Sequence, residues 1–292
     1  MNKTSSKLGL GCVIFGREID RETSLKLMDY AYSKGINSFD TAAVYGDGSS
    51  ERIIGYWLAE RALPKDSISI ATKILPPYDP LHIRITVEQC LRRLGIETID
   101  ILYLHRWDEK VTNEQTWSEL ADLVSEDKIK ELGVSNFNAL QLDDVVNLIE
   151  KLDGVNLSYI QNNHNLAVSD LNADTRRISR KNNLKIITYS PLGAGFLTGK
   201  HLNGVQKDSR FEVIPAHQDI YFNAYSQTRL KRLLEVAART DYSPEYLAMA
   251  WATHQKGVYS VLVGGRSITH IDQAIEASKF DSADIFAELE KV

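Results

Sequence analysis

Polar and charged side chains recur in this sequence at the ends of short apolar runs. Asp40, Lys73 and His105 end the second, third and fourth of these runs. A carboxylate, an ammonium and an imidazole brought together could move a proton to or from a small substrate. Each residue alone also has an ordinary structural explanation, as a turn cap, a lysine that snorkels to the surface or a hydrogen-bonded core histidine. Those explanations account poorly for polar groups at seven consecutive run ends. The residues at the ends of the later runs, or shortly after them, are Ser135, Asn136, Gln161, Tyr189, Ser190, Gly264, Arg266 and Ser267.

The apolar runs are typical of β-strands that are covered on both faces. Amphipathic segments between them, at residues 22–35, 50–62, 83–95 and 137–152, are typical of helices, and Gly35 and Gly95 stand where two of these helices are expected to end. The predicted strands are LGLGC from Leu8, INSFD from Ile36, ISIATK from Ile68, IDILYLH from Ile99, KELGVS from Lys130, YIQN from Tyr159, LKIITYS from Leu184 and VYSVLVG from Val258.

Eight strands that alternate with helices fit either a (β/α)8 barrel or a doubly wound open sheet. The polar strand ends favour the barrel, because the carboxyl ends of its strands meet on one face, where such enzymes carry their active sites. An open sheet would spread the same groups along a line. No break in composition marks a second domain. We therefore predict an α/β fold consisting of a single-domain (β/α)8 TIM barrel over residues 1–292.

One connection departs from the simple alternation of strand and helix. Residues 193–224 are rich in glycine, polar and aromatic residues, and long connections of this kind are usually functional or mobile. Two helical segments follow in succession, at residues 228–240 and 243–255. Ser243 and Pro244 start the second segment with a favourable N-cap and a proline at the first helical position.

Composition excludes several classes of partner. A formal charge of -5 argues against non-specific nucleic-acid binding, and no apolar stretch is long enough to span a membrane. Two cysteines, Cys12 and Cys90, provide neither a metal-ligand cluster nor a disulfide framework. We expect no metal and a cytoplasmic location with both thiols reduced. The expected partner is a small molecule.

Five segments resemble the motifs of one enzyme family. GINSFDTAAVYGDGSSERIIG, from Gly35 to Gly55, resembles the aldo-keto reductase signature, and IATK, YLHR, KIKELGVSNF and YSPLGAGFLTGK resemble its later motifs in the same order. The resemblance extends from Leu8 to about Ala277, and its YSPLGAGFLTGK form is most similar to the bacterial and potassium-channel β-subunit branch. It implies NADPH-dependent reduction of an aldehyde or ketone, such as a sugar or another small carbonyl compound.

The resemblance places a catalytic tetrad on Asp40, Tyr45, Lys73 and His105. Carbonyl reduction needs a proton donor as well as a hydride donor, and Tyr45 is expected to supply the proton. A phenol ordinarily titrates near pH ~10, and the charge of Lys73 is expected to lower that pKa. Asp40 would hold Lys73 in place, and His105, neutral or charged, would orient the carbonyl oxygen.

Cofactor and substrate contacts are likewise implied by the resemblance. Ser135, Asn136 and Gln161 are expected to bind the nicotinamide carboxamide, with Tyr189 stacked on the ring. The other expected contacts are Ser190, Pro191, Leu192, Gly193 and Gly264 at the diphosphate, and Lys200, Arg210, Arg266, Ser267, His270 and Gln273 on the adenosine side, where a 2′-phosphate would bind. Ala274 replaces an asparagine that is frequent in the family. Val13, Trp107 and Phe137 are candidates for the substrate pocket.

Other phosphate-binding motifs are absent from the sequence. Gly9 and Gly11 lack the third glycine of the Rossmann fingerprint, and the GAGFLTGKH segment departs from the P-loop at Ala194 and His201. Two alternatives remain open at this point. One is a cofactor-binding regulatory subunit with the same fold and little turnover. The other is a Schiff-base lyase that uses Lys73, in which the signature around Tyr45 would have no role.

Overall fold

The computed structural model describes residues 7–64 and 66–291. Every strand predicted from the apolar runs is present, together with one short strand that was not predicted. The strands are β1 Leu8–Gly11, β2 Ser38–Asp40, β3 Ser69–Ile74, β4 Ile99–Leu104, β5 Ile129–Ser135, β6 Leu157–Asn165, β7 Val168–Ser169, β8 Lys185–Tyr189 and β9 Val258–Val263.

Eight of these strands form a closed parallel barrel. They pair in the order β5, β4, β3, β2, β1, β9, β8 and β6, and β6 also pairs with β5 to close the ring. Among the described strands, β7 alone lies outside the barrel, as an antiparallel extension of β6. The predicted (β/α)8 TIM barrel is confirmed.

The helices surround the barrel, and local signals set several of their ends. Ser243 caps α10 by accepting a hydrogen bond from the backbone N–H of Tyr246, and Gly95 ends α3 in the left-handed conformation, both as predicted. None of the helices in the described parts of the chain is long and apolar enough to cross a membrane. The helices are α1 Arg21–Ser33, α2 Ser49–Arg61, α3 Pro80–Leu94, α4 Glu114–Ser125, α5 Ala139–Ile149, α6 Ala173–Lys181, α7 Arg210–Val213, α8 His217–Tyr221, α9 Ala224–Ala237, α10 Pro244–Thr253, α11 Ile268–Ala277 and α12 Ala283–Glu290.

The barrel interior is packed with side chains and is not a channel. Gly133 on β5 leaves the space that the Tyr103 ring fills, since a Cβ at this position would lie 2.5 Å from that ring. Because the interior is filled, it holds no site, and barrels of this kind carry their active sites at the carboxyl ends of the strands. The interior cluster consists of Ala71, Ile101, Tyr103, Tyr159, Ile187 and Leu262.

The long connection predicted at residues 193–224 contains short helical pieces. A 3-10 turn at Gly193–Thr198 is followed by α7 and α8. Phe196, Phe211 and Tyr221 are buried, and the rings of Phe196 and Phe211 each pack on Tyr221 with their centroids 5.8 Å from its centroid. The connection therefore has its own small aromatic core, and α9 begins at Ala224, ahead of the predicted start at residue 228.

Candidate active site

The carboxyl ends of three neighbouring strands bring the predicted tetrad together. Asp40 ends β2, Lys73 is the next-to-last residue of β3, and His105 follows β4 directly. The parallel pairing of these strands places the three side chains next to one another. Tyr45 lies between β2 and α2, with its ring centroid 5.1 Å from Lys73 Nζ and 5.8 Å from the centroid of the His105 ring.

Lys73 and Asp40 form a buried ion pair. The side chain of Lys73 is 1% exposed and that of Asp40 is 5% exposed. Lys73 Nζ donates to Asp40 Oδ1 and, over 2.8 Å, to the carbonyl oxygen of Thr41. The second carboxylate oxygen of Asp40 accepts a hydrogen bond of 2.8 Å from Gln161 Nε2. Burial, the largest single effect, lowers the pKa of Lys73, but the charges and hydrogen bonds of Asp40 and Tyr45 together raise it above its ordinary value, so the ammonium form is favoured.

The electrostatics of Tyr45 differ from the expectation. Burial raises the pKa of the Tyr45 hydroxyl, and the charge of Lys73 lowers it by less, so that the net pKa lies above its ordinary value. The predicted direction of the Lys73 effect is present, but the predicted net lowering is wrong because desolvation disfavours the phenolate. Tyr45 therefore holds its proton at neutral pH and can donate it.

His105 is a neutral imidazole in this site. Burial, followed by the charges of Lys73 and Arg106, lowers its pKa to about 3. Its backbone N–H pairs with the carbonyl of Ile74, which fixes the residue at the barrel end. Its Nδ1 atom is buried without a hydrogen-bond partner among the described residues. Of the two states left open by the sequence, the neutral one is favoured.

Hydroxyl groups beneath Tyr45 fix the turn that carries it. Thr41 Oγ1 donates to Ser50 Oγ over 2.7 Å, and Ser50 Oγ donates to the carbonyl of Cys12 over 2.9 Å. The backbone N–H of Ser50 donates to the carbonyl of Tyr45. The first turn of α2 and the end of β2 therefore set the position of Tyr45 together.

The four residues expected around the nicotinamide lie together and contact one another. Asn136 Nδ2 donates to the carbonyl of His105 and to Ser135 Oγ, and its Oδ1 accepts a hydrogen bond from the Tyr189 hydroxyl. Ser135 Oγ donates to the carbonyl of Gln161. Gln161 lies in the middle of β6 and not near its end, because that strand continues to Asn165, beyond the predicted YIQN segment.

The basic residues expected on the adenosine side gather near the start of α11. Ser267 Oγ lies 3.2 Å from His270 Nδ1, and Arg266 Nη2 donates to the carbonyl of Asp208. Burial, followed by the charges of Lys200 and Arg266, lowers the pKa of His270. Gln273 is an exposed side chain of the same helix. Ala274 is completely buried, so its side chain faces the core.

The segment expected at the diphosphate is a tight turn after β8. Its residues include Pro191 and Leu192, and Gly193 donates its N–H to the carbonyl of Ser190. Gly193 has φ +58°, and a Cβ there would lie 2.9 Å from the Tyr221 ring. At Gly264 a Cβ would lie 3.0 Å from the carbonyl oxygen of Gly11. Because glycine has no Cβ, Gly193 and Gly264 allow other protein groups to pack closely against their backbone, whether or not a ligand also binds there.

Arg210 occupies a different place from the rest of the predicted adenosine group. It forms an ion pair with Glu18, which follows β1, and Glu18 also accepts a hydrogen bond of 2.7 Å from Arg17 Nε. The charges of Arg210 and Tyr45 act on each other's pKa, so Arg210 lies on the Tyr45 side of the barrel end. The guanidinium of Arg210 is therefore held by the nearly buried carboxylate of Glu18, and its contact with the adenosine stays a prediction.

The candidate pocket residues differ in their access to the barrel end. Val13 and Trp107 are partly exposed, whereas Phe137 is 1% exposed. The rings of Trp107 and Phe137 meet edge to face with their centroids 5.3 Å apart. Phe137 therefore packs against Trp107 from the buried side, and of the three candidates Val13 and Trp107 are the ones with accessible side chains.

Comparisons with known proteins agree with this geometry. Residues 7–292 match the Aldo/keto reductase family. "Probable aldo-keto reductase 1" of Glycine max is 31% identical, with 96% of this chain and 84% of the relative covered. "Protein tas" of Escherichia coli is 27% identical (98% and 94% covered), and "Aldo-keto reductase AMT2" of Alternaria alternata is 28% identical (91% and 80% covered). The chain belongs to the aldo/keto reductase family.

Aldo-keto reductases are oxidoreductases that use a nicotinamide cofactor, and the residues of this family member fit such a group. Lys200 and Arg266 both act on His270, so positive charge is concentrated around the start of α11. Like charges at one place repel one another, and a bound anion relieves that repulsion. The N-terminus of a ten-residue helix at the same place also favours an anion.

Sequence reasoning missed two residues of this aldo-keto reductase. Glu18 holds Arg210, and Asn162 hydrogen-bonds the backbone of Asn136 and Phe137. A signal for Asn162 was present, because the five polar residues QNNHN, at 161–165, stand in a buried strand. Buried polar side chains normally have specific partners.

Proposed function

We propose that this protein reduces an aldehyde or ketone to the alcohol with NADPH, using Tyr45 as the general acid. The observation that carries the proposal is the placement of Tyr45 between Lys73 and His105 at the open end of the barrel. A protonated phenol, a fixed ammonium and a neutral imidazole make a site that can polarise and protonate a carbonyl oxygen.

Each side chain has a separate task in this proposal. A nicotinamide cofactor held at this site would supply the hydride that the carbonyl carbon receives. Tyr45 donates its proton to the carbonyl oxygen, and the Lys73 ammonium stabilises the phenolate that remains. His105, as a neutral imidazole, orients the carbonyl oxygen, and Asp40 holds Lys73 in position. Ser135, Asn136, Gln161 and Tyr189 would surround the nicotinamide, and Val13 and Trp107 would contact the substrate.

Preference for NADPH is assigned to the basic group at the start of α11. The 2′-phosphate distinguishes NADPH from NADH, and Arg266 can bind phosphate oxygens with two donors at once. Ser267, His270 and Lys200 add further donors there. Gln273 would face the adenine, and the turn Ser190–Gly193 and Gly264 would meet the diphosphate.

A Schiff-base role for Lys73 is disfavoured by its surroundings. Such a lysine needs a lowered pKa so that the free amine can attack. Here the ion pair with Asp40 raises the pKa of Lys73. Lys73 therefore stays protonated in this proposal, and its ammonium stabilises negative charge next to it.

A carbonyl panel tests the proposed function. Aromatic and aliphatic aldehydes, ketones and aldoses are each assayed with NADPH and with NADH. Oxidation of the cofactor is followed by its nicotinamide absorbance. We expect turnover of at least one carbonyl class, faster with NADPH. Tight cofactor binding without turnover across the panel would instead indicate a regulatory subunit. Absence of binding for both cofactors would overturn the proposal.

A further inference from the structure

Asn162 is a buried amide that holds the loop between β5 and α5 from below. It is 2% exposed and lies on β6 next to Gln161. Successive side chains of a strand point to opposite faces, and Gln161 contacts Asp40 within the site. Asn162 Oδ1 accepts a hydrogen bond of 3.1 Å from the N–H of Asn136, and its Nδ2 donates over 2.8 Å to the carbonyl of Phe137.

The loop needs such a contact because Asn136 has an uncommon backbone conformation. Its φ is +61°, in the left-handed region that asparagine tolerates better than most residues. Its N–H is shared between Asn162 Oδ1 and the carbonyl of Gln161. The buried Asn162 amide thereby satisfies backbone groups on both sides of the turn and stabilises this conformation.

The conformation matters because Asn136 joins distant strand ends. Its side chain is exposed at the barrel mouth and contacts the carbonyl of His105 and the hydroxyl of Tyr189. These residues follow β4 and end β8, on either side of the proposed nicotinamide site. A shift of the loop would therefore change the position of the Tyr189 ring.

We propose that Asn162 is a positioning residue for the nicotinamide end of the cofactor site, acting through the backbone of Asn136. The inference rests on the proposed cofactor site. Asn162 does not touch the cofactor; it sets the conformation of the residue that links His105 to Tyr189. The chemistry at Tyr45 does not depend on it directly.

The test is a double-mutant cycle on cofactor binding. Dissociation constants for NADPH are measured by fluorescence quenching for Asn162→Leu, Asn136→Ala and the double variant. Asn162→Leu is expected to raise Kd by about tenfold, the scale of one lost hydrogen bond. If Asn162 acts through Asn136, the double variant binds as weakly as Asn136→Ala alone. Additive losses would overturn the proposal.

A matched asparagine provides the control for a general loss of stability. Asn172 is an exposed N-cap that accepts a hydrogen bond of 2.8 Å from the N–H of Thr175, remote in sequence from the loop. Asn172→Ala is expected to lower the free energy of unfolding but leave the NADPH Kd within twofold of wild type. An equal rise in Kd for Asn172→Ala would show that the effect of Asn162→Leu on binding comes from a general loss of stability. If Asn162→Leu does not fold, Asn162→Ala replaces it in the cycle.

A second readout needs no cofactor. Amide hydrogen exchange at Asn136 in the free protein is expected to be about tenfold faster in Asn162→Leu than in wild type, with no change in Asn172→Ala. Unchanged exchange would refute the positioning role. If wild type binds neither NADPH nor NADH, the proposed function fails, whereas the exchange measurement still decides whether Asn162 holds the loop.

Discussion

Lys73 is hydrogen-bonded to Asp40 inside the barrel end, and the two side chains are almost completely buried. The pair fixes a positive charge next to the Tyr45 ring, at 5.1 Å from its centroid. The two charges also depend on each other, because each is stable in this buried place only while its partner is present.

We expect Lys73→Met to destabilise the protein as well as abolish turnover. The substitution leaves the Asp40 carboxylate buried with Gln161 as its remaining side-chain donor, and breaking a buried pair typically costs about 3–5 kcal/mol. Denaturant unfolding measures this loss. The double variant Asp40→Asn/Lys73→Met should recover part of it. Lys26→Met, at an exposed pair with Glu22, is the control and should change stability by less than about 0.5 kcal/mol. A stable Lys73→Met protein would contradict the structural role of the pair.

Tyr45→Phe should remove most carbonyl reduction while leaving the protein folded and able to bind cofactor. Loss of a general acid typically costs about 10²–10⁴-fold in rate, and the phenyl ring preserves packing. Steady-state kinetics and fluorescence titration with NADPH measure the two effects separately. Tyr56→Phe, at an exposed tyrosine on α2, serves as the control with full activity. Near-wild-type kcat in Tyr45→Phe would show that another group donates the proton.

The pH dependence of reduction follows from the states of Tyr45 and His105. Tyr45 keeps its proton because its pKa is raised, and His105 is neutral above a pKa of about 3. We therefore expect kcat/KM for reduction to be flat between about pH 6 and about pH 9 and to fall at higher pH, as the donor proton is lost. Alcohol oxidation should increase over that same high range, because it needs the phenolate. A decline of reduction below pH 7 that disappears in His105→Gln would show instead that the imidazole is protonated.

Residues 193–224 are predicted to close over bound cofactor. Arg266 contacts the carbonyl of Asp208 and Glu18 contacts Arg210, so the connection is tied to the loops after β9 and β1. NADPH should increase protection from hydrogen exchange across this segment. Glu18→Gln should loosen the attachment of this segment and speed cofactor release, since opening of a segment that covers a ligand often limits release. Glu22→Gln, at an exposed site on α1, is the control. Equal protection with and without NADPH would reject closure.

Arg266→Ala should weaken NADPH binding by about one to two orders of magnitude, since a hydrogen bond to a charged group contributes roughly 1.5–3 kcal/mol. NADH, which lacks the 2′-phosphate, should be affected much less. The NADPH contact should also weaken as salt rises, because Arg266 is exposed. Fluorescence titration of both cofactors measures the difference, and Arg177→Ala, at an exposed pair with Asp174, is the control. Equal losses for the two cofactors would assign Arg266 to the fold or to the diphosphate.

The sequence by itself determined the barrel, and its resemblance to the aldo-keto reductase signature placed the predicted tetrad. Apolar runs of strand length alternate with amphipathic segments, and the period of each pattern reflects the local geometry of strand or helix. Asp40, Lys73 and His105 lie at or next to strand ends, and Tyr45 lies in the loop between β2 and α2, so their convergence followed once eight parallel strands closed into a ring. Helix caps such as Ser243 were predictable from the sequence because the residue that bonds to the cap is only three positions away.

Only the tertiary structure decided which partners these residues have. Gln161 reaches Asp40 from 121 positions away, and Arg210 reaches Glu18 from 192 positions away. No local pattern encodes such pairs, since they depend on which loops the closed barrel brings together. The pKa of Tyr45 is a further case: its sign depends on the balance between burial and the charge of Lys73, and burial is a property of the whole fold.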